Sequence, residues 1–284
     1  MTAGAGQSAS GADNEDWDDV ASDVLRMVGK QVKRWRERAG LTQADLGRAI
    51  GYGEEQVSSV ERGRRPPSPE FLDGADEALG ADGILTEFKE DVKRARLPKK
   101  VRDLAKLEAE AVELGAYANS VIDGLLQTKD YARTLFEMST PALDEETIER
   151  YVDARMARQA IFERRPAPIM SFVQEEVALR RPVGGKMVLR RQLERLLEIG
   201  QLRNVAIQVM PTDREEHVGL GGPFQLLEPK TGTRAAHVEV QQFSRVVADR
   251  KEVRILEARY GAIRAQALTP RESLAFIEKV LGET

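Results

Sequence analysis

The sequence predicts two domains of different class: an α-helical N-terminal bundle and a larger α+β C-terminal domain. Three observations carry this. Before residue 80, apolar residues recur at helical spacing in several short segments, each closed by a glycine or opened by a capping residue. Beyond residue 165, runs such as "NVAIQVMP" have strand character and interleave with helical patterns. A chain of 284 residues also exceeds the roughly 100–200 of a single domain. The expected organisation is a disordered acidic tail over 1–18, a helical domain over 19–97 and an α+β domain over 98–284. The tail is Gly, Ala, Ser and acid with no apolar period.

A first helix is expected from Asp19. Val24, Val28, Val32, Trp35 and Ala39 fall on one face, and Lys30, Lys33, Arg34, Arg36 and Arg38 mainly on the others. Gly40 supplies a left-handed end. Thr42, with Asp45 three residues on, caps a second helix that runs to Gly51 with Leu46, Ala49 and Ile50 inward. Gly51-Tyr52-Gly53 is a turn. The third helix, "EEQVSSVERG", puts Val57 and Val60 inward and closes at Gly63. Ser68 caps a fourth with Pro69 at its first position, and Phe71, Leu72, Ala75 and Leu79 form its stripe. A fifth is expected from Gly83 to Arg96, broken by Pro98. Trp35, Leu46, Val57 and Val60 are expected core.

In the second domain, helices are expected at 102–119, 128–138 and 144–164, and a strand at 168–174 continues as a short helix. "KMVLRRQLERLLEIGQL" reads as a helix and "NVAIQVMP" as a buried strand with Val205, Ile207 and Val209 alternating. "GPFQLLE" and "AAHVEV" are strands joined by the turn "PKTGT", and "RVVAD" is an edge strand. Two helices, about 250–267 and 270–282, finish the chain, the second capped by Thr269.

Charge sharpens the functional reading. The chain carries 43 Lys and Arg against 47 Asp and Glu, a net charge of −4. Residues 24–69, however, carry ten bases against five acids. The one basic stretch is thus the one with a helix-turn-helix pattern, and a polyanion needs only local positive charge. No cysteine is present, which excludes disulfides and thiolate chemistry and suits a reducing compartment. No stretch approaches the roughly 18 apolar residues of a membrane helix, and the start has no signal-peptide pattern, so a cytoplasmic location is expected.

The segment "WRERAGLTQADLGRAIGYGEEQVSSVERGRRPPSPEFLDGADEALG" resembles the helix-turn-helix domain of the xenobiotic-response-element (Cro/C1-type) regulators, over roughly residues 24–85. Leu-Thr-Gln, the turn glycine, Val-Ser and Glu-Arg-Gly occur together in order. The resemblance implies a five-helix bundle that binds double-stranded DNA as a homodimer, with the third helix in the major groove. It places Gln43 on phosphate or a base edge, and Glu54, Glu55, Gln56, Ser58 and Ser59 on the recognition helix. Arg62 meets the backbone where that helix ends, and Arg64 and Arg65 contact phosphate from the loop. Glu61, a signature position, takes a structural role. Glu54 and Glu55 have two readings. Acids in a first turn face the positive end of the helix dipole, and a glutamate can accept from cytosine N4.

"GLLQTKDYAR", "DARMARQAIF", "IQVMP", "GLGGPF" and "ALTPRESLAFI" are similar to the C-terminal domain of actinobacterial regulators of the WhiJ type, over most of 98–282. Such proteins are often encoded beside a small partner and are sometimes classed as antitoxin-like. Relatives commonly have Val-Pro-Gly before Leu-Leu-Gln, where this chain has Val121-Ile122-Asp123-Gly124.

An enzyme is the weaker alternative. His217, His237 with Glu239, and the acids of "QEE" at 174–176 can be drawn as a metal site, but no His-Glu-x-x-His, nucleophile elbow or phosphate loop supports one. Packed or exposed histidines are expected instead, and Gly219, Gly221 and Gly222 as a turn before a strand. Arg155 and Arg158 are read as surface charge in preference to a clamp for an acidic ligand, and "RRPVGG" as a connection in preference to a pocket lid. No catalytic residue, metal or cofactor is expected. The expected function is sequence-specific transcriptional regulation, tuned by a small protein or small-molecule effector on the C-terminal domain. The runner-up is an antitoxin-like interaction module.

Overall fold

A computed structural model describes residues 19–97, 99–241 and 243–284. The expectations for the acidic tail and for Pro98 as a helix breaker fall outside those residues. The chain divides after Arg102 into two compact units.

The first unit is helical: α1 (Asp19–Arg38), α2 (Gln43–Ile50), α3 (Glu54–Glu61), α4 (Pro69–Leu79) and α5 (Lys89–Ala95). Thr42 closes a full capping box with Asp45 at the start of α2, and Ser68 caps α4 ahead of Pro69. The core joins Val28 and Val32 of α1, Leu46 of α2, Val57 and Val60 of α3, and Phe71 and Leu72 of α4.

Three details differ from expectation. The buried stripe of α1 is Ala21, Leu25, Val28 and Val32. Val24 and Trp35 are only half-buried and Ala39 is exposed, so the expected face is rotated by about one residue. Trp35 packs at the core's margin with the Arg38 guanidinium 5.0 Å above its ring. On α2, Ala49 is exposed and Gly47 is buried in its place. The fifth helix is short. The Asp76 carboxylate accepts from the N–H groups of Gly83, Leu85 and Thr86 at 2.8, 2.7 and 3.1 Å. Those donors are held in a loop, and a 3-10 turn over Thr86–Phe88 precedes α5.

Helix α6 (Lys99–Glu110) spans the division, and the second unit continues with β1 (Ala111–Ala118), α7 (Lys129–Glu137), α8 (Glu145–Arg158), β2 (Ile169–Glu175), α9 (Glu176–Arg180), α10 (Lys186–Ile199) and β3 (Val205–Met210). It ends with β4 (Phe224–Pro229), β5 (Ala235–Val240), β6 (Phe243–Val247), α11 (Arg250–Gln266) and α12 (Pro270–Glu283). The architecture is α+β around one six-stranded sheet of order β3-β2-β1-β4-β5-β6. Strands β1, β2 and β3 are parallel, with Ala116 beside Phe172 and Phe172 beside Ile207. β4, β5 and β6 continue the sheet antiparallel from the other side of β1.

Strand β1 replaces the second half of the helix expected over 102–119. Ala, Glu and Leu favour helix locally, but pairing on both edges decides the outcome. Gly115 at its centre fits this role. A Cβ there would lie 2.6 Å from the ring of Tyr260, which α11 lays across the sheet. One face of the sheet packs Leu114, Phe172 and Ile207 against Leu193 of α10 and Ile277 of α12. The other packs Tyr117, Val173 and Phe224 against Val253, Tyr260 and Ile263 of α11.

Candidate functional site

The α1 stripe 21-25-28-32 has its next member at Arg36, which is therefore a buried cation and needs a partner. Glu61, at the end of α3, supplies it. Arg36 Nε and NH2 donate to the two carboxylate oxygens at 2.5 and 3.0 Å, and NH1 donates to the Leu41 carbonyl at 2.7 Å. The Glu61 side chain is 1% exposed. Gln43, the first residue of α2, donates from Nε2 to the same carboxylate at 2.6 Å. One buried cluster thus ties α1, the entry to α2 and the end of α3. Close backbone approach completes it: a Cβ on Gly29 would sit 2.3 Å from the Val60 carbonyl oxygen.

This brace fixes what α3 offers outward. Glu54 and Glu55 are exposed, Gln56 and Ser59 half-exposed, and Arg62, Arg64 and Arg65 exposed. Glu55, Ser59 and Arg62 stand four and three residues apart and so share one stripe. The N-H groups of Arg64 and Arg65 both bond to the Ser59 carbonyl, which curls the loop back over the helix end. Ser58 departs from expectation. It is 7% exposed and faces the core beside Val57 and Glu61, so it offers no hydroxyl to an outside partner. Gln43 is restricted as well, since one of its two N–H bonds is committed to Glu61. Arg36 is the residue that sequence reasoning placed on the wrong side. Extending the true stripe by one turn is the signal that would have found it. Helix α3 starts at Gly53 with no side-chain cap, so Glu54 and Glu55 are what meet the positive end of its dipole.

In the second unit the histidines separate. His217 Nε2 lies 2.7 Å from Glu175 Oε1, and Tyr117 donates its hydroxyl to that same oxygen at 2.7 Å. The Gly219 N–H donates to His217 Nδ1, which leaves the proton on Nε2 for Glu175. Burial, then the Glu175 hydrogen bond, raises the Tyr117 phenol far above its usual range. His237 is elsewhere, 2.8 Å from Ser244 Oγ. Among the described residues no group of three or more His, Asp or Glu could hold a metal ion.

A cavity of about 510 Å³ opens at the carboxyl end of β1. Its walls come from the loop 119–124, the start of β4, the end of β5 and helix α8. Gly221 and Gly222 form the turn before β4 and also line it. "RRPVGG" joins α9 to α10 and takes no part. Arg155 and Arg158 correct the surface-charge reading, because both turn inward to the cavity. Arg158 is paired in a two-pronged contact with Glu108 at 2.6 and 2.7 Å.

Residues 101–279, more than half of the chain, match a family described as "Domain of unknown function (DUF5753)". The chain belongs to that family. Residues 28–88 match a family described as "Helix-turn-helix domain". An uncharacterized HTH-type transcriptional regulator, y4dJ, of Sinorhizobium fredii (strain NBRC 101917 / NGR234) is 36% identical over 62 residues, 22% of this chain and 80% of that protein. The DUF5753 protein therefore also belongs with the helix-turn-helix transcriptional regulators. No solved structure matches it. No described helix is long and apolar enough to cross a membrane.

Proposed function

We propose that this DUF5753 protein is a sequence-specific DNA-binding transcriptional regulator that acts as a homodimer. One observation carries the reading: within the matched helix-turn-helix segment, α3 is braced from behind by Arg36 and Glu61 and leaves the Glu55, Ser59 and Arg62 stripe to solvent. Glu54, Glu55, Gln56 and Ser59 face base edges, and Arg62, Arg64 and Arg65 neutralise phosphate. The remaining N–H of Gln43 reaches phosphate. A dimer spans two half-sites one helical turn apart. The C-terminal unit takes a small protein or small-molecule effector that alters DNA affinity. Such control needs different affinities for the free and DNA-bound forms. Selection of genomic fragments by the purified full chain tests this. A shared motif with two related halves is expected, and recovery of fragments with no common sequence would sink it.

A second reading, an antitoxin-like module that neutralises a small protein, has its own support. Among the described residues no strand pairs with the outer edge of β6, and Phe243 there is 82% exposed next to Val240. Open edges of this kind accept an added strand. Co-purification of a stoichiometric small partner, with no DNA binding in its absence, would favour this reading over the first.

A further inference from the structure

Arg155 holds a cation inside the second unit that the protein leaves partly unserved. Its NH1 donates to Gln127 Oε1 at 2.8 Å, and its guanidinium stacks 4.5 Å from the Phe136 ring centre. Its Nε is buried and makes no hydrogen bond within the chain. Among the described residues no carboxylate lies within ion-pairing distance of it. Three act from farther off: Glu108, Asp123 and Glu239. Glu108 is spent on Arg158. Asp123 accepts from the Leu125 N–H at 2.9 Å and the Gln225 amide at 3.0 Å. Glu239 stands exposed among the residues lining the cavity. Burial lowers the Arg155 guanidinium to about 10, more than those carboxylates raise it, and it stays cationic at neutral pH.

Gly124 flanks this cation: a Cβ there would be in van der Waals contact, 3.7 Å from Arg155 Nε and 3.6 Å from Arg158 NH2, and the glycine leaves that volume unfilled. Leu104, Tyr117, Ile122 and Phe224 give the wall an apolar and aromatic part, beside a polar part from Asn119, Asp123, Gln225 and His237. A volume of about 510 Å³ suits a small organic molecule. It opens at the carboxyl end of β1, between that strand and the antiparallel β4 and β5.

We propose that this cavity binds a small organic oxyanion, a carboxylate or phosphate monoester with an apolar body, through the Arg155 guanidinium. The anion accepts from the idle Nε–H and passes by Gly124, while its body lies against Phe224 and Tyr117. Glu239 keeps the charged end on the α8 side. The inference rests on reading the C-terminal unit as effector-responsive, and it names the chemical class of that effector.

The test uses the full chain with benzoate, phenyl phosphate and the neutral benzamide as probes. Calorimetry gives affinity. The Arg155 Nε–H resonance, identified by its loss in Arg155→Lys, reports the contact. At least one acid is expected to move that resonance and to bind at least about tenfold more tightly than benzamide. Which acid does so separates carboxylate from phosphate. Arg155→Gln is expected to weaken binding roughly tenfold or more. Gly124→Leu, which fills the approach and spares the cation, is expected to block binding while the fold, read by circular dichroism, persists. The proposal is overturned if benzamide equals the acids, if neither acid moves the resonance at about 10 mM, or if both variants bind as the parent does. DNA affinity measured beside these separates the two readings. Acid binding that leaves DNA affinity unchanged removes the effector role and keeps the site. Intact DNA binding without acid binding removes the site alone.

Discussion

Arg36 and Glu61 form a buried ion pair, and such pairs behave asymmetrically under mutation. Removing one member leaves a naked charge, which costs about 3–5 kcal/mol, whereas replacing both by apolar residues of similar volume is often neutral. Glu61→Ala is therefore expected to cost the N-terminal unit about 3–5 kcal/mol, and Arg36→Met with Glu61→Leu to restore most of it. Urea titration of the three proteins checks this. A single variant as stable as the parent would mean that the pair is not closed in solution. On the outward side of α3, Glu54→Ala distinguishes the two roles of the leading carboxylates. If Glu54 accepts from cytosine, preference at one base pair relaxes by about 1–3 kcal/mol. If it only repels phosphate, affinity rises equally for all sequences. Ser58→Ala is expected to leave DNA affinity unchanged in the same binding assay, because the side chain faces the core.

At the scale of elements, Gly29 sets how near α1 lies to α3. Gly29→Ala has nowhere to put its methyl group except against the Val60 and Glu61 carbonyls. It is expected to cost about 1–3 kcal/mol and to weaken DNA binding by displacing α3. A thermal melt and a binding isotherm on one preparation read both effects. The elements best legible in the sequence were those marked by local chemistry. Thr42 with Asp45, Ser68 with Pro69 and Thr269 with Pro270 each announce a helix start within four residues. Strand β1 was not legible, because Ala, Leu and Glu speak for helix. What overrides them is Phe172 and Gln225, which pair with Ala116 from 56 and 109 residues away. The candidate interface was half legible for the same reason. Exposed Arg62, Arg64 and Arg65 follow from their place just past the end of α3. The inward turn of Arg36 and Arg155 depends on carboxylates and cavities contributed by distant segments.

For the whole molecule, the net charge of −4 hides a basic front. DNA binding that rests on this front must be strongly salt-dependent. Arg62→Ala is expected to weaken binding about equally across sequences and to lower the slope of log affinity against log salt by about one. Anisotropy titrations at several salt concentrations give that slope. An unchanged slope would move Arg62 off the phosphate.

The triad of Arg36, Gln43 and Glu61 also constrains descent. Since two side chains share the buried Glu61 carboxylate, drift at position 61 strands both at once. Lineages that abandon the glutamate must therefore trade the arginine within the same short interval. Substitutions along the outward stripe face no such toll, so target preference is free to diverge while the scaffold behind it stays still.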